Sequence, residues 1–455
     1  MPIKTLHITN NYHPSSGGIR TFYLALLDAA NRLRRPMRLV VPGDTDHSEE
    51  VGEFGRIYHV RAPRTPVFDR RYRLILPHTF LFPRENGLRE ILRLEQPDVV
   101  EICDKYSLCY LAGVLRRQWI PGVRRPTLIG VSCERMDDNV ESFITASATA
   151  RRLSALYMKK IYGPLFDFHI GVSHYVGAEL SSVWPGAEGR LFVLPMGVHA
   201  GHLGPEHRDS EWRARLQREV GGNGGTALLL YAGRFSPEKN LALLVSMMEK
   251  LTDCGHVSAN HVPGRPIPDC RLLLAGSGPL EPWLRGQSVR SDGRIRLIGH
   301  VEGPAEMARL LASVDLVVHP NHREPFGIAP LEAMASGTPL LVPNAGGVLE
   351  YANEDCAWLA PPEPGSFASA VLEALSNPSA TYAKAERALQ VAARHDWRQV
   401  AVQFFETYEA LHALRLRTSL AEPLDRSSAA VEALGNAEVC GVQHSSAILD
   451  RSVTP

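Results

Sequence analysis

One stretch constrains this chain more than any other: Asp315-Leu-Val-Val-His-Pro-Asn-His-Arg-Glu-Pro-Phe-Gly-Ile-Ala-Pro-Leu-Glu-Ala-Met-Ala-Ser-Gly-Thr-Pro-Leu-Leu-Val-Pro343. Leu316 to Val318 and Leu340 to Val342 are short apolar runs of the buried-strand type, and the residues between them predict a short helix. Pro330 suits its first turn, and Gly337 suits the left-handed position just past its end. Such a loop leaves the backbone N–H groups of Phe326, Gly327, Ile328 and Ala329 at a helix mouth, where donors and dipole favour an anion such as a phosphate. Gly327 removes a side chain that would block close approach. Glu324 and Glu332 bracket the turn, and a carboxylate accepts paired hydroxyls such as those of ribose or a hexose. Taken singly, Glu332 reads as an acid satisfying the helix dipole and Glu324 as a solvated loop charge.

The whole string reads differently. Glu-Pro-Phe-Gly-Ile-Ala-Pro-Leu-Glu, then Ala-Met-Ala-Ser-Gly-Thr-Pro-Leu-Leu-Val and Gly346-Gly347, resembles the paired-glutamate signature of retaining family-4 glycosyltransferases of the two-Rossmann (GT-B) fold. The resemblance implies that Glu324 lies against a donor sugar and Glu332 holds the nucleotide ribose. Phe326, Gly327 and Ile328 would then set backbone on sugar and diphosphate.

A chain of 455 residues exceeds one core and suits two domains. Its 49 Lys and Arg balance 49 Asp and Glu, which argues against a protein devoted to nucleic acid. The seven cysteines (103, 109, 133, 254, 270, 356, 440) are scattered, with no close pair at metal spacing, as expected of reduced thiols in a cytoplasmic setting. No apolar stretch reaches membrane-spanning length and no leader-like segment opens the chain, so a soluble or peripherally attached protein is expected.

Thr5 to Thr9 predicts a strand, Asn10 to Gly18 a turn-rich loop and Ile19 to Leu33 a helix, the opening of a Rossmann-like unit. Gly17 and Gly18 would admit a ligand's close approach. The resemblance extends here, because such enzymes place a Gly-Gly beside the donor diphosphate. From Arg56 to Arg93 arginines interleave with Tyr58, Phe68, Tyr72, Phe80 and Phe82, a mixture suited to anionic lipid headgroups, to an acidic acceptor, or to a solvated loop. Asp104 and Tyr106 follow a strand at the end where α/β sheets put ligands. After the strand Thr127 to Ser132, many relatives carry a histidine that contacts the donor sugar. This chain has Cys133 and Glu134 instead. Glu134 could accept from a sugar hydroxyl, serve as base toward the acceptor, or be a solvated acid. Asp137-Asp138 is read as surface, and no metal is expected. Arg151 to Tyr162 is a basic, partly apolar helix. Pro195-Met-Gly-Val-His199 looks like the family's Pro-Asn-Gly-Val segment leading into a second domain, with the linker near residues 196 to 210.

The second half restarts the alternation. Ala227 to Tyr231 predicts a strand, and in the loop after it Ser236 reads as an N-cap with Pro237 in the first helical turn. Arg234 and Lys239 bracket that helix start, a clamp for a diphosphate whose leaving charge needs stabilising. Tyr-Ala-Gly-Arg-Phe-Ser-Pro-Glu-Lys-Asn resembles the donor-phosphate segment of the same family. Residues 252 to 269 read as a surface insertion and Val348 to Tyr351 as a helix start near the phosphates, and the resemblance makes His300 and Val301 candidates to cover the base. The run from Trp397 to Leu414 predicts a long helix, which in the resembled fold crosses back to the first domain. The tail from 418 lacks a credible core.

The expected architecture is therefore α/β, two Rossmann-like domains facing a cleft. Residues 1–200 would bind acceptor, 201–395 would bind a nucleotide-diphosphate sugar, 396–417 form the crossing helix, and 418–455 form a mobile tail. The resemblance implies retaining hexosyl transfer to a hydroxyl, with mannosyl from GDP-mannose first. The acceptor would be a glycan or lipid, reached by peripheral contact with an anionic membrane, on the inner face of the cell membrane if so attached. The catalytic set would be Glu324, Arg234, Lys239 and Glu134, with no metal and no cofactor beyond the sugar nucleotide. A nucleotide-sugar epimerase and a non-catalytic sugar-nucleotide binder are the rivals, the latter motivated by the missing loop histidine.

Overall fold

The protein is represented by a computed structural model that describes residues 2–13, 18–65, 73–82, 87–143, 145, 147–254 and 269–420. The first half builds an eight-stranded sheet from β1 (Thr5–Thr9), β2 (Met37–Gly43), β3 (His47–Val51), β4 (Gly55–Arg61), β5 (Val99–Cys103), β6 (Thr127–Ser132), β7 (Phe168–Gly171) and β8 (Leu191–Val193). Its order is β3-β4-β2-β1-β5-β6-β7-β8, parallel apart from the β3–β4 hairpin. The second half builds a six-stranded parallel sheet from β9 (Ala227–Ala232), β10 (Cys270–Ala275), β11 (Ile295–Gly299), β12 (Leu316–Val318), β13 (Leu340–Pro343) and β14 (Trp358–Ala360), in the order β11-β10-β9-β12-β13-β14. At the centre of the second sheet β9 and β12 are unbroken apolar runs because helices cover both faces of a parallel sheet, and every residue of β9, Ala-Leu-Leu-Leu-Tyr-Ala, is buried; β1 and β5 at the centre of the first are as fully buried but carry His7 and Glu101.

Strand order reverses at β1/β5 in one sheet and at β9/β12 in the other, and loops beyond the carboxyl ends there form the crevice where such sheets bind ligands. The glycine loop follows β1 and the Glu324 loop follows β12. Fold and motif thus agree on one cleft.

The final helix, Trp397–Leu420, returns to the first sheet. Phe404 and Trp397 pack on Phe22 of the helix Gly18–Leu33, with ring centroids 5.1 and 5.9 Å apart. Tyr408 donates to the fully buried Glu101, which also accepts from Tyr23 (2.7 Å) and bonds His7 Nδ1 (2.8 Å). Burial alone would raise the Glu101 pKa; His7 and the two phenols outweigh it and hold the carboxyl below its ordinary value. The two chain crossings between the halves lie side by side, with Val198 N–H donating to His395 O (2.8 Å) and Trp397 N–H to Val198 O (3.0 Å).

Several expectations need correction. Residues 47–61 form the hairpin β3–β4, and the arginines around it serve the fold. Arg56 pairs with Glu50 (2.6 Å), Arg73 with Asp44, Arg89 donates to Phe80 O (2.9 Å) and Arg93 to Pro121 O (3.1 Å). Phe68, Arg70, Arg71, Tyr72 and Arg84 lie outside the described residues, as do 255–268 of the expected insertion and 421–455 of the tail. Ser236 does not cap a helix. Asn240 takes a left-handed conformation (φ 53°) that closes a separate turn, Pro237–Lys239, and the helix begins only at Leu241. The Ser236 hydroxyl turns instead to the Glu238 carboxylate.

Candidate active site

Glu324 sits where three elements converge. Its carboxylate accepts from Lys239 Nζ (2.8 and 3.0 Å), Asn321 Nδ2 (2.8 Å) and His319 Nε2 (3.0 Å). Lys239 comes from the turn after β9, and His319 and Asn321 from the end of β12. Burial would push the carboxyl up, but the ammonium and the His319 bond win and hold it well below the usual carboxylate range. Glu324 is therefore a fixed anion at the cleft, and Lys239 is tied to it. Sequence reasoning placed Lys239 and Glu324 in one site but missed His319 and Asn321, whose nearness to Glu324 in sequence is their only local signal.

Beyond Glu324 the backbone turns through Gly327 (φ 91°) into the helix Ile328–Ala335. A Cβ on Gly327 would stand 2.9 Å from the Tyr351 hydroxyl, which donates to Gly327 O at 2.5 Å. Phe326 is a core side chain against Tyr351 (5.2 Å), so only its backbone can serve a ligand. Gly337 closes the helix with φ 68°. Glu332 is half-buried, and no side chain among the described residues donates to its carboxylate; burial pushes its pKa up to about 7. A carboxylate without donors keeps its acceptor sites for hydroxyls.

Arg234 stands at the end of β9, its carbonyl accepting from Tyr231 (2.9 Å). His300 and Val301 follow β11, His300 exposed and Val301 half-buried. Val348–Tyr351 does not start a long helix: Gly347–Glu350 is a single turn, and the Glu350 carboxylate accepts from the His174 backbone N–H (2.9 Å) across the cleft.

The first domain supplies the facing wall. Gly18 opens its helix directly opposite the Glu324 loop, since a Cβ there would lie 3.2 Å from Ile328 Cδ1. Gly17 lies outside the described residues. Glu134, half-buried, lines a small recess with Asn11, Asp104 and Cys133. Its carboxylate accepts from Asn139 Nδ2 (2.9 Å), which also donates to the Tyr106 hydroxyl (2.9 Å). Burial raises the Glu134 pKa, and Lys105 and Asn139 only partly offset it. Lys105 is spent elsewhere, on the buried Glu179 and on the Glu134 carbonyl (2.6 Å). Asp104, expected as a ligand contact, lines the recess and accepts from the N–H groups of Ser107 (2.6 Å) and Leu108 (2.9 Å) in the turn before the helix Cys109–Arg116. Among the described residues no group of three or more His, Cys, Asp and Glu is placed to hold a metal ion. Asp137 pairs with Arg135 (2.5 Å). Nor is any helix among them long and apolar enough to cross a membrane.

Residues 213–396, the segment carrying Arg234, Lys239 and both glutamates, match the model of glycosyl transferases group 1. By that segment the chain resembles the group 1 glycosyltransferases. It is 24% identical over 412 residues to a GDP-mannose-dependent alpha-(1-6)-phosphatidylinositol dimannoside mannosyltransferase of Mycobacterium tuberculosis, covering 90% of this chain and 97% of that one. Among solved structures it resembles sucrose-phosphate synthase from Thermosynechococcus elongatus (TM-score 0.68, 19% identity, 90% of this chain and 100% of the other). Anabaena HepE in complex with UDP and glucose is similar as well (TM-score 0.62, 18% identity, 90% and 99%). These likenesses establish the GT-B fold of this glycosyltransferase.

Proposed function

We propose that this glycosyltransferase moves a mannosyl group from GDP-mannose, with retention of configuration, to a hydroxyl of a lipid-linked acceptor. The observation that carries the reading is the match along nine-tenths of the chain to a GDP-mannose-dependent mannosyltransferase. The donor would occupy residues 201–395. Glu332 takes the ribose hydroxyls, and the backbone of Phe326, Gly327 and Ile328, with Gly18 opposite, takes sugar and diphosphate. Arg234 and Lys239 meet the charge that grows on the leaving diphosphate, without a metal. Fixed donors aimed at developing charge in a water-poor cleft are the largest catalytic term available here. Glu324 fixes Lys239 and faces the sugar. Glu134, its pKa raised toward working pH, acts as base toward the acceptor hydroxyl, which residues 1–200 would hold.

A lipid-linked acceptor and peripheral membrane contact are supported by the helix Ala148–Tyr157 and the turn after it. Leu153, Leu156 and Ile161 are 62, 53 and 41% exposed among Arg151, Arg152, Lys159 and Lys160, an apolar and basic face suited to anionic headgroups.

Thermal unfolding with GDP-mannose, UDP-glucose, UDP-N-acetylglucosamine and ADP-glucose tests the donor. A ligand at a hundred times its Kd stabilises by about 2.7 kcal/mol, so GDP-mannose should raise the midpoint by several degrees. Lys239→Ala and Glu332→Ala should not respond. Stabilisation by UDP-glucose alone would replace the donor, and no response to any of the four would sink the reading.

A further inference from the structure

The first domain grips the Glu324 loop on both sides of Glu324. On one side, Arg323 Nη2 binds Glu141 Oε1 at 2.8 Å, and its Nε lies 3.7 Å from Asp138 Oδ1. On the other, the Ser173 hydroxyl donates to Pro325 O at 2.5 Å. Between them Glu324 O accepts from Gly347 N–H (2.6 Å), and a Cβ on Gly347 would lie 1.9 Å from Pro325 O, so the loop and the Gly346-Gly347 turn move as one body. His174, the neighbour of Ser173, holds that turn through Glu350.

The gripping groups are themselves one unit. Asp138 and Glu141 lie on the helix Met136–Phe143, whose first N–H groups, Met136 and Asp137, donate to Glu179 (2.6 and 3.0 Å). Glu179 belongs to the helix His174–Ser181, and Ser173 caps that helix. Tyr175 of the same helix donates to Asp138 (2.5 Å). The domain proposed to bind the acceptor therefore touches the backbone that carries Glu324 at two points fixed relative to each other.

We propose that Arg323 and Ser173 are positioning residues: through them, engagement of the first domain sets the backbone that presents Glu324, so that the site is complete only when the cleft is closed. This rests on the transferase reading above for its kinetic arm. In an open molecule both contacts would be lost together. Glu324 would keep Lys239, His319 and Asn321 but lose its outer support, and the site would turn over slowly with water as well as with acceptor.

The test compares wild type with Arg323→Gln, Glu141→Gln, the double variant and Ser173→Ala. Arg323→Gln should lower kcat for transfer about tenfold while donor KM stays within twofold, because no donor-binding residue is altered. Glu141→Gln should do the same, and the double variant should be no worse than the worse single, since both remove one contact. A kcat within twofold of wild type, a change confined to KM, or losses that multiply in the double variant would overturn the proposal. A second reading needs no turnover. The radius of gyration of wild type, measured by small-angle X-ray scattering with GDP present, should be smaller than that of Arg323→Gln or Ser173→Ala; equal radii would overturn it. An inactive wild type that still compacts would count against the transferase reading and for the clamp.

Discussion

Two carboxylates face each other's domains across the cleft, and their surroundings differ in kind. Glu324 has three side-chain donors, one of them an ammonium, and is held ionised. Glu134 has one amide donor, carboxylates of Asp104 and Glu179 nearby, and a lysine already spent on Glu179, so it keeps its proton to higher pH than an ordinary glutamate. Burial raises the pKa of both in the same direction, and the partner set decides the outcome. One wall of the cleft carries a fixed anion, and the other a carboxyl that holds its proton longer.

The largest effect should come from removing the charge that fixes the first of these. Lys239→Ala should lower kcat by about a hundredfold to a thousandfold in a sugar-transfer assay, the range seen when a preorganised donor to developing charge is lost. A loss below tenfold would break the contrast on the charged side. Glu134→Gln keeps the shape and removes the proton acceptor. Transfer should fall about a hundredfold, as for loss of a general base, with nucleotide binding by calorimetry unchanged. In wild type the rate should rise with pH through the raised Glu134 pKa, and this limb should vanish in the variant. A variant within threefold of wild type would make Glu134 a mere hydrogen-bond partner.

Glu332 sharpens the comparison from within one domain, since it is raised by burial with nothing to offset it. Glu332→Gln should raise the donor Kd about tenfold, the worth of one or two charge-assisted hydrogen bonds to ribose. The folded state binds the Glu332 proton more tightly than the unfolded state does. Its contribution to stability is therefore full below pH 4.5 and lost as pH rises through about 7. At pH 8 the glutamine variant should melt higher than wild type, and at pH 4 the two should agree; the reverse order would mean that Glu332 is paired. The smallest effect belongs to Tyr408→Phe, which leaves Glu101 with His7 and Tyr23. It should cost about 1 kcal/mol in urea denaturation and leave kcat unchanged.

How much of this was legible in the sequence depends on range. Strands β1, β6 and β12 match their expected bounds residue for residue, and in β12 a parallel strand covered on both faces writes its burial into consecutive apolar letters. The β3–β4 hairpin was not readable, since His-Ser-Glu-Glu-Val is an exposed polar edge strand. Glu324, Lys239 and Glu332 stand out in the sequence because their neighbours form a dense local string. Their electrostatics were not. Glu332's want of partners, Lys105's commitment to Glu179 74 residues away and the hold of Ser173 on Pro325 across 152 residues exist only in the fold. Asp104 shows the same limit: its place at a strand end is legible, but the bonds it accepts from the N–H groups of Ser107 and Leu108 are written only in the fold.

The paired crossings at Val198 and His395–Trp397 have a mechanical consequence. A single strap would let one half swivel and twist on the other, whereas two parallel straps hydrogen-bonded edge to edge bend easily about one line and resist torsion. Gly197 tightens this further, since a Cβ there would press to 2.7 Å of the Trp397 ring. The halves should open like a door with two knuckles, so that each swing returns Ser173 to the same carbonyl.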